Sequence, residues 1–298
     1  MKSRRLRIIL ISILVGILLL TILMPDAPAS AYYSNIDRPL VIAHQGGDGI
    51  WPGDTMFAFE NAVEIGADVL EMDAHIAKDG QIVLMHDEEV DRTTDGTGLI
   101  EDLTLDQLKQ LDAAYDWSND GDKTFPYRGQ GIQVPTLDEL FAKFPQMRYV
   151  IEIKLTQNPI DKPLCDLIRQ HNMQDKVMVA SFHDEAMQNF RAACPEVATS
   201  ASRGEVTTFV LLGKVFLSGL VIPQYESIQP PYDPEESMNI PIMTRRFIRE
   251  AHAKNIAIEP WTVNDPELMR QYIKWGVDGI MTDRPDLMVD VLKEMGIE

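Results

Sequence analysis

Val69-Leu70-Glu71-Met72-Asp73-Ala74-His75-Ile76, then Ala77-Lys78-Asp79-Gly80, then Ile82-Val83-Leu84-Met85-His86, is the stretch whose reading decides the fold. In residues 69–76 polar and apolar side chains alternate, the period of a β-strand. Val69, Glu71, Asp73 and His75 share one face; Leu70, Met72, Ala74 and Ile76 share the other. The Asp-Gly pair between two strand-like runs predicts a β-hairpin. A strand of a closed barrel sends one face inward and the other toward an outer layer of helices. The apolar set suits the helices, so Glu71 and Asp73 are expected inside.

Outward from this stretch, short apolar runs alternate with amphipathic ones. Strands are expected at 41–46, 69–76, 148–155, 177–182, 197–202, 219–225, 257–263 and 277–283. Helices are expected at 55–65, 136–144, 160–171, 184–193, 243–254, 265–275 and 285–295. Met56, Phe59 and Val63 form the stripe of the first helix, with Asp54 or Thr55 as its cap. Eight strands with helices between most of them favour an α/β fold of the (β/α)8 TIM-barrel type over an open sheet. The hairpin and a helix near 104–112 form a small insertion at about 77–134, a place where barrels shape their active-site mouth. The barrel is expected over 32–298, after an N-terminal hydrophobic helix within 1–31.

The formal net charge is −19, although Lys2, Arg4, Arg5 and Arg7 crowd the N-terminus. The remainder is more acidic still, and such a surface repels nucleic-acid phosphates. Ile8 to Met24 carries no charge, follows a basic stretch and precedes Pro25. It reads as a membrane anchor at the short end of the spanning range, or as a signal peptide cut near Ala29-Ser30-Ala31. A buried core helix is the weaker alternative. Either export reading places the barrel outside the cytoplasm, membrane-anchored if uncleaved and secreted or periplasmic if cut. Cys165 and Cys194 lack the spacing of a zinc site. They are read either as a disulfide or as two buried thiols.

Residues 148–155 place Val150, Glu152 and Lys154 on one face. Glu71, Asp73 and Glu152 therefore converge near the C-terminal ends of strands, where barrel active sites lie. Three unpaired carboxylates repel and raise one another's pKa values. A hard divalent cation, Mg²⁺ or Ca²⁺, relieves this. The alternative is an ion-pair network with Lys154, but one lysine cannot neutralise three acids. His44 ends the first strand and His86 ends the hairpin return. Beside a carboxylate–metal site, one histidine can take a proton while the other protonates a leaving oxygen. His75 is a rival on the Glu71/Asp73 face; His171, His183 and His252 read as surface or capping residues.

Six motifs, in this order, resemble the glycerophosphodiester phosphodiesterase family: His44-Gln45-Gly46, Glu71-Met72-Asp73, His86-Asp87, Glu152-Ile153-Lys154, Trp261-Thr262-Val263-Asn264, and Gly276-Val277-Asp278-Gly279 through Thr282-Asp283-Arg284-Pro285. The resemblance covers roughly residues 40–290. It implies a (β/α)8 barrel, His44 and His86 as general acid and base, and Glu71, Asp73 and Glu152 holding Mg²⁺ or Ca²⁺. It also implies Lys154 near the phosphate and Trp261 lining the glycerol or headgroup pocket. Two departures stand out. Gln45 replaces the family's usual arginine, and Pro52-Gly53-Asp54-Thr55 replaces Pro-Glu-Asn-Thr. Gln45 keeps a hydrogen-bonding group in the substrate-binding set without the fixed charge. The expected function is metal-dependent hydrolysis of glycerophosphodiesters to sn-glycerol 3-phosphate and an alcohol. Lysophospholipase D activity and a non-catalytic phosphodiester-binding barrel are the alternatives.

Overall fold

A computed structural model describes residues 12, 16, 20, 21, 23–154, 158–237 and 239–297. The alternating stretch forms strand β2 (Val69–Ile76), buried throughout. It pairs in parallel with β1 (Leu40–Ala43) on one side and β4 (Arg148–Ile153) on the other. The parallel sheet continues through β5 (Val177–Ala180) to β6 (Ala198–Thr199), and from β1 to β9 (Gly279–Thr282). The remaining pair, β7 (Ser227–Ile228) and β8 (Ala257–Ile258), is also parallel. Backbone hydrogen bonds join it to both edges of the larger sheet: Glu226 N donates to Thr199 O and Ala201 N to Ser227 O, while Asp278 N donates to Ile258 O and Met281 N to Pro260 O. With helices between most successive strands, this arrangement is consistent with a (β/α)8 barrel.

Two apolar layers hold the strands. Leu40, Ile42, Val69, Val150, Met178, Ala198 and Met281 meet inside, with Tyr32 and the half-buried Tyr33 closing the cluster at the N-terminal ends of the strands. The opposite strand faces, with Leu70, Met72, Tyr149 and Ile151 among them, pack against the helices in a second cluster. The hairpin return β3 (Ile82–Leu84) pairs antiparallel with β2. With the short helix Leu105–Leu108 it encloses a separate small core containing Val83, Met85, Val90, Ile100 and Val134.

Three sequence expectations need correction. The seventh strand is not at 219–225: Ser218–Leu220 is a 3₁₀ turn, and the strand lies at Ser227–Ile228. Pro223 cannot donate to a ladder, and Ile222 faces solvent instead of the sheet. A further helix, Arg203–Lys214, escapes the sequence reading because its Val-Thr-Thr-Phe-Val run looks strand-like; a Ser202/Glu205 capping box starts it.

The third correction concerns the N-terminus. No helix among the described residues is long and apolar enough to cross a membrane, so the expected membrane anchor, and the location inferred from it, are not supported. The uncharged run Ile8–Met24 stands at the bottom of the range a spanning helix needs, and Pro25 ends it. Most of Ile8–Met24 lies outside the described residues. From Met24 onward the chain packs on the barrel. The buried Lys254 donates to the carbonyls of Met24 and Pro25 and pairs with Asp26, and Ala27 N donates to Lys254 O. Cys165 and Cys194 form a disulfide linking two adjacent helices.

Candidate active site

The carboxylates converge through strand register. Asp73 of β2 lies directly opposite Glu152 of β4, and Glu71 precedes Asp73 by two residues on the same face. One oxygen of each lies within 4.8 Å of the others. Lys154 bridges two of the three, 3.0 Å from Asp73 and 3.1 Å from Glu152. Asp54 adds a fourth carboxylate: its Oδ1 accepts from Asp73 N at 3.3 Å. Its Oδ2 is buried with no hydrogen-bond partner. Burial raises the Glu71 pKa to about 8, with Asp73 and Glu152 adding to it and His44 opposing. Burial, then Asp73 and Glu71, hold Asp54 well above the ordinary carboxylate range. Lys154 is shifted upward, because Asp73 and Glu152 outweigh its burial. Clustered oxygen donors with an orphaned neighbour and too little positive charge fit a hard divalent cation.

Both histidines are held by a carboxylate at Nδ1. β1 ends at Ala43, and a tight turn follows with Gln45, Gly46 and Gly47 at φ of 50°, 78° and 105°. This turn presents His44, whose Nδ1 lies 2.6 Å from Asp283 and whose Nε2 lies 3.9 Å from Glu71. Asp283 accepts in turn from Asn264 Nδ2 at 2.7 Å. Burial alone would lower the His44 pKa, but Glu71 and Asp283 outweigh it and raise it to about 9. Across the site His86 Nδ1 lies 2.6 Å from Asp87, and Arg92 grips that carboxylate through Nε and Nη2. Arg92 foremost, with help from His86, lowers the Asp87 pKa to about 2. Such carboxylate–imidazole pairs fix ring orientation and direct Nε2 at the reacting group.

Among the other expected site residues, Gln45 is turned inward. Its backbone N donates to Glu71 at 2.9 Å and its Nε2 to Asp73 at 3.0 Å. Gly53 belongs to the same unit: a Cβ there would stand 2.7 Å from Asp48 Oδ1 and 2.8 Å from Gln45 Oε1. Asp48 accepts from Gly53 N, so its carboxylate fills the space a larger residue at 53 would need. Trp261 donates to Gln229 O and packs edge-on against Phe182. His44, His86, Glu71, Asp73, Glu152 and Lys154 line one cavity of about 200 Å³, with Trp261, Phe182 and Met281 as its apolar side. His75 is buried, lines neither this cavity nor the larger one beneath the insertion, and sits 3.4 Å from the His86 carbonyl. The sequence reading assigned no role to Asp283, Asp87, Asn264 or Arg92. The first three stand in motifs, but only their contacts show what they hold.

An α/β barrel whose acidic cluster could hold a divalent cation, flanked by two carboxylate-held histidines, is the class that this fold and donor set define. The profile of the glycerophosphoryl diester phosphodiesterase family matches residues 44–287, and the chain belongs to that family. A glycerophosphodiester phosphodiesterase of Caldanaerobacter subterraneus is 30% identical over 87% of this chain and all of that protein. One from Bacillus subtilis is 29% identical over 98% of this chain and 99% of its own length. The fold is shared with a phosphodiesterase of Oleispira antarctica solved with the product sn-glycerol 3-phosphate (TM-score 0.68, 24% identity, 89% of this chain and all of that one). The chain is accordingly an enzyme of the phosphoric diester hydrolase class.

Proposed function

We propose that the chain hydrolyses glycerophosphodiesters to sn-glycerol 3-phosphate and an alcohol, with Glu71, Asp73 and Glu152 holding Mg²⁺ or Ca²⁺. His44 and His86 serve as the acid–base pair. The observation that carries this reading is the placement of two carboxylate-oriented imidazoles beside three clustered acids. A bound cation would supply charge stabilisation to the phosphoryl oxygens. Lys154 Nζ, already within the cluster, would approach the same oxygens. One imidazole takes the proton of the attacking hydroxyl at Nε2, while its Nδ1 stays anchored on Asp283 or Asp87. The other returns a proton to the departing oxygen. The glycerol 2-hydroxyl beside the phosphate is a suitable internal nucleophile, because its proximity removes a bimolecular entropy cost. Its attack expels the alcohol and leaves a cyclic phosphodiester, which water, deprotonated by an imidazole, then opens to sn-glycerol 3-phosphate. Trp261 and Phe182 offer the glycerol carbons an apolar wall, and Gln45 holds Asp73 in place. A cavity of about 200 Å³ suits a glycerol-sized group better than an acyl chain.

The test is release of sn-glycerol 3-phosphate from glycerophosphocholine by the purified full chain. Release should stop in excess chelator and return with Mg²⁺ or Ca²⁺. No release with any divalent cation would contradict the reading. Full activity in chelator, with no retained metal by elemental analysis, would contradict its metal component.

A further inference from the structure

Among the described residues, seven large apolar side chains are exposed. Phe182 is one of them and belongs to the site. The other six, Leu20, Leu23, Leu211, Val215, Phe216 and Ile222, gather at the end of the barrel remote from it. Helix Arg203–Lys214 begins just after Ser200 and Ala201, which line the site's cavity, and carries the chain about 18 Å toward the opposite end. Leu211 stands in its last turn, and Val215, Phe216 and Ile222 flank the 3₁₀ turn Ser218–Leu220 that follows. Residues 20–23 reach the same place: a Cβ at Gly219 would stand 2.8 Å from Thr21 Cβ. Apolar residues scattered singly over a surface need no explanation, but a cluster of this kind marks a contact.

Phe216 gives a second, independent observation. It is 76% exposed, and its backbone is left-handed at a φ of 63°. That conformation is costly for a bulky side chain, and an exposed ring returns little packing to the fold. Charge gives a third. The protein has a formal net charge of −19, yet cations stand beside this cluster. Lys214 is one, and helix Arg245–His252 sets Arg245, Arg246 and Arg249 against the single acid Glu250. The Arg246 guanidinium lies 3.7 Å from the Phe216 ring centroid. Apolar side chains with a protruding aromatic ring, inside a basic rim, suit the headgroup region of an anionic bilayer. The acidic remainder of the barrel is repelled by the same lipids, which selects one orientation.

We propose that this end of the barrel docks on anionic lipid surfaces, with Val215, Phe216 and Ile222 entering the headgroup–acyl boundary and the active-site mouth facing away. The folded barrel makes the contact, so it calls for no helix that crosses the bilayer. Docking stands apart from the phosphodiesterase reading above. Combined with that reading, it makes the site one that draws its substrate from water and not from the lipid beneath the barrel.

The experiment measures co-sedimentation of the full chain with vesicles of phosphatidylglycerol mixed with phosphatidylcholine, and with vesicles of phosphatidylcholine alone. Binding to the anionic vesicles should be stronger. Phe216→Gly should weaken it roughly 10-fold or more, the scale for burial of one aromatic ring. Glycine suits the left-handed backbone, so this variant should keep or raise the melting temperature. Orientation is read from an environment-sensitive fluorophore on one introduced thiol, since Cys165 and Cys194 are bonded to each other. A label at Ile222→Cys should shift to the blue on adding anionic vesicles, and a label at Asp122→Cys, beneath the insertion at the mouth, should not. Binding unchanged by Phe216→Gly, no preference for the anionic vesicles, or a shift at 122 instead of 222 would each overturn the proposal. So would a natural chain that is dimeric by analytical ultracentrifugation and a Phe216→Gly chain that is monomeric, which would make the cluster a contact between two copies. These assays need no catalysis, so their failure and a failure to release sn-glycerol 3-phosphate are separate results.

Discussion

Two buried acidic centres lie within one barrel, and they are treated differently. One layer below the site, Glu259 is fully buried, yet it accepts from Tyr33 Oη at 2.9 Å, Gln229 Nε2 at 2.9 Å and Ser227 Oγ at 3.1 Å. At the mouth, Asp54, Glu71, Asp73 and Glu152 share Lys154 and His44 as their cations, and Asp54 Oδ2 has nothing. Glu259 shows that this fold can satisfy a buried acid with neutral donors. The mouth has not been satisfied in that way, although Gln45 shows that amide donors reach it. Unrelieved charge held by strand register is what a cation site requires, and it costs stability that a bound cation would restore.

The comparison breaks most sharply at the carboxylates. Alanine at Glu71, Asp73 or Glu152 should reduce phosphodiesterase activity to the detection limit and weaken divalent-cation binding by calorimetry, while Glu259→Gln should leave cation affinity unchanged. Next in size, alanine at His44 or His86 should lower kcat by roughly 10² to 10⁴ with the circular dichroism spectrum intact. A stability series separates the two centres in the other direction. Glu259→Ala strands three donors and should destabilise the barrel by about 3–5 kcal/mol in denaturant titration. Asp54→Asn should instead raise the melting temperature of the metal-free protein and shrink the further rise on adding Mg²⁺ or Ca²⁺. A lower metal-free melting temperature in that variant would show that Asp54 is not under strain.

The smallest effect is a titration. With its pKa raised to about 9, His44 should remain an imidazolium at neutral pH in the metal-free protein. A raised folded-state pKa gives a stabilising contribution that is complete below about 6.5, the unfolded value, and lost as pH rises through about 9. NMR titration of the ring should follow that course. Asp283→Asn should lower the midpoint by removing one of the three anions, Glu71, Asp283 and Asp73, that hold it up. An unchanged midpoint would leave Glu71 and Asp73 as the causes.

The barrel was legible because period-two alternation at 69–76 and 148–153 sorts side chains without reference to tertiary contacts. The same periodicity brought Glu71, Asp73, Glu152 and Lys154 to one face. Shorter strands were harder to read. Ser227–Ile228 has only two ladder residues, too few for a period, so the longer apolar run at 219–225 drew the reading to itself. Asp283 and Asp87 could not be given roles from sequence. Asp283 is 239 residues from the ring it holds. Asp87 adjoins His86, but adjacency does not reveal that Arg92 orients it. Gln45 read as a weakened substrate contact. Its bond to Asp73 depends on a left-handed turn that composition does not announce.

The central claim, that strand register builds a cation site from three carboxylates, is tested most directly by anomalous diffraction from crystals grown with Mn²⁺ in place of Mg²⁺. The account predicts one strong peak bounded by the carboxylate oxygens of Glu71, Asp73 and Glu152, absent in crystals of Asp73→Asn. No peak at that position, in protein that still releases sn-glycerol 3-phosphate, would contradict it.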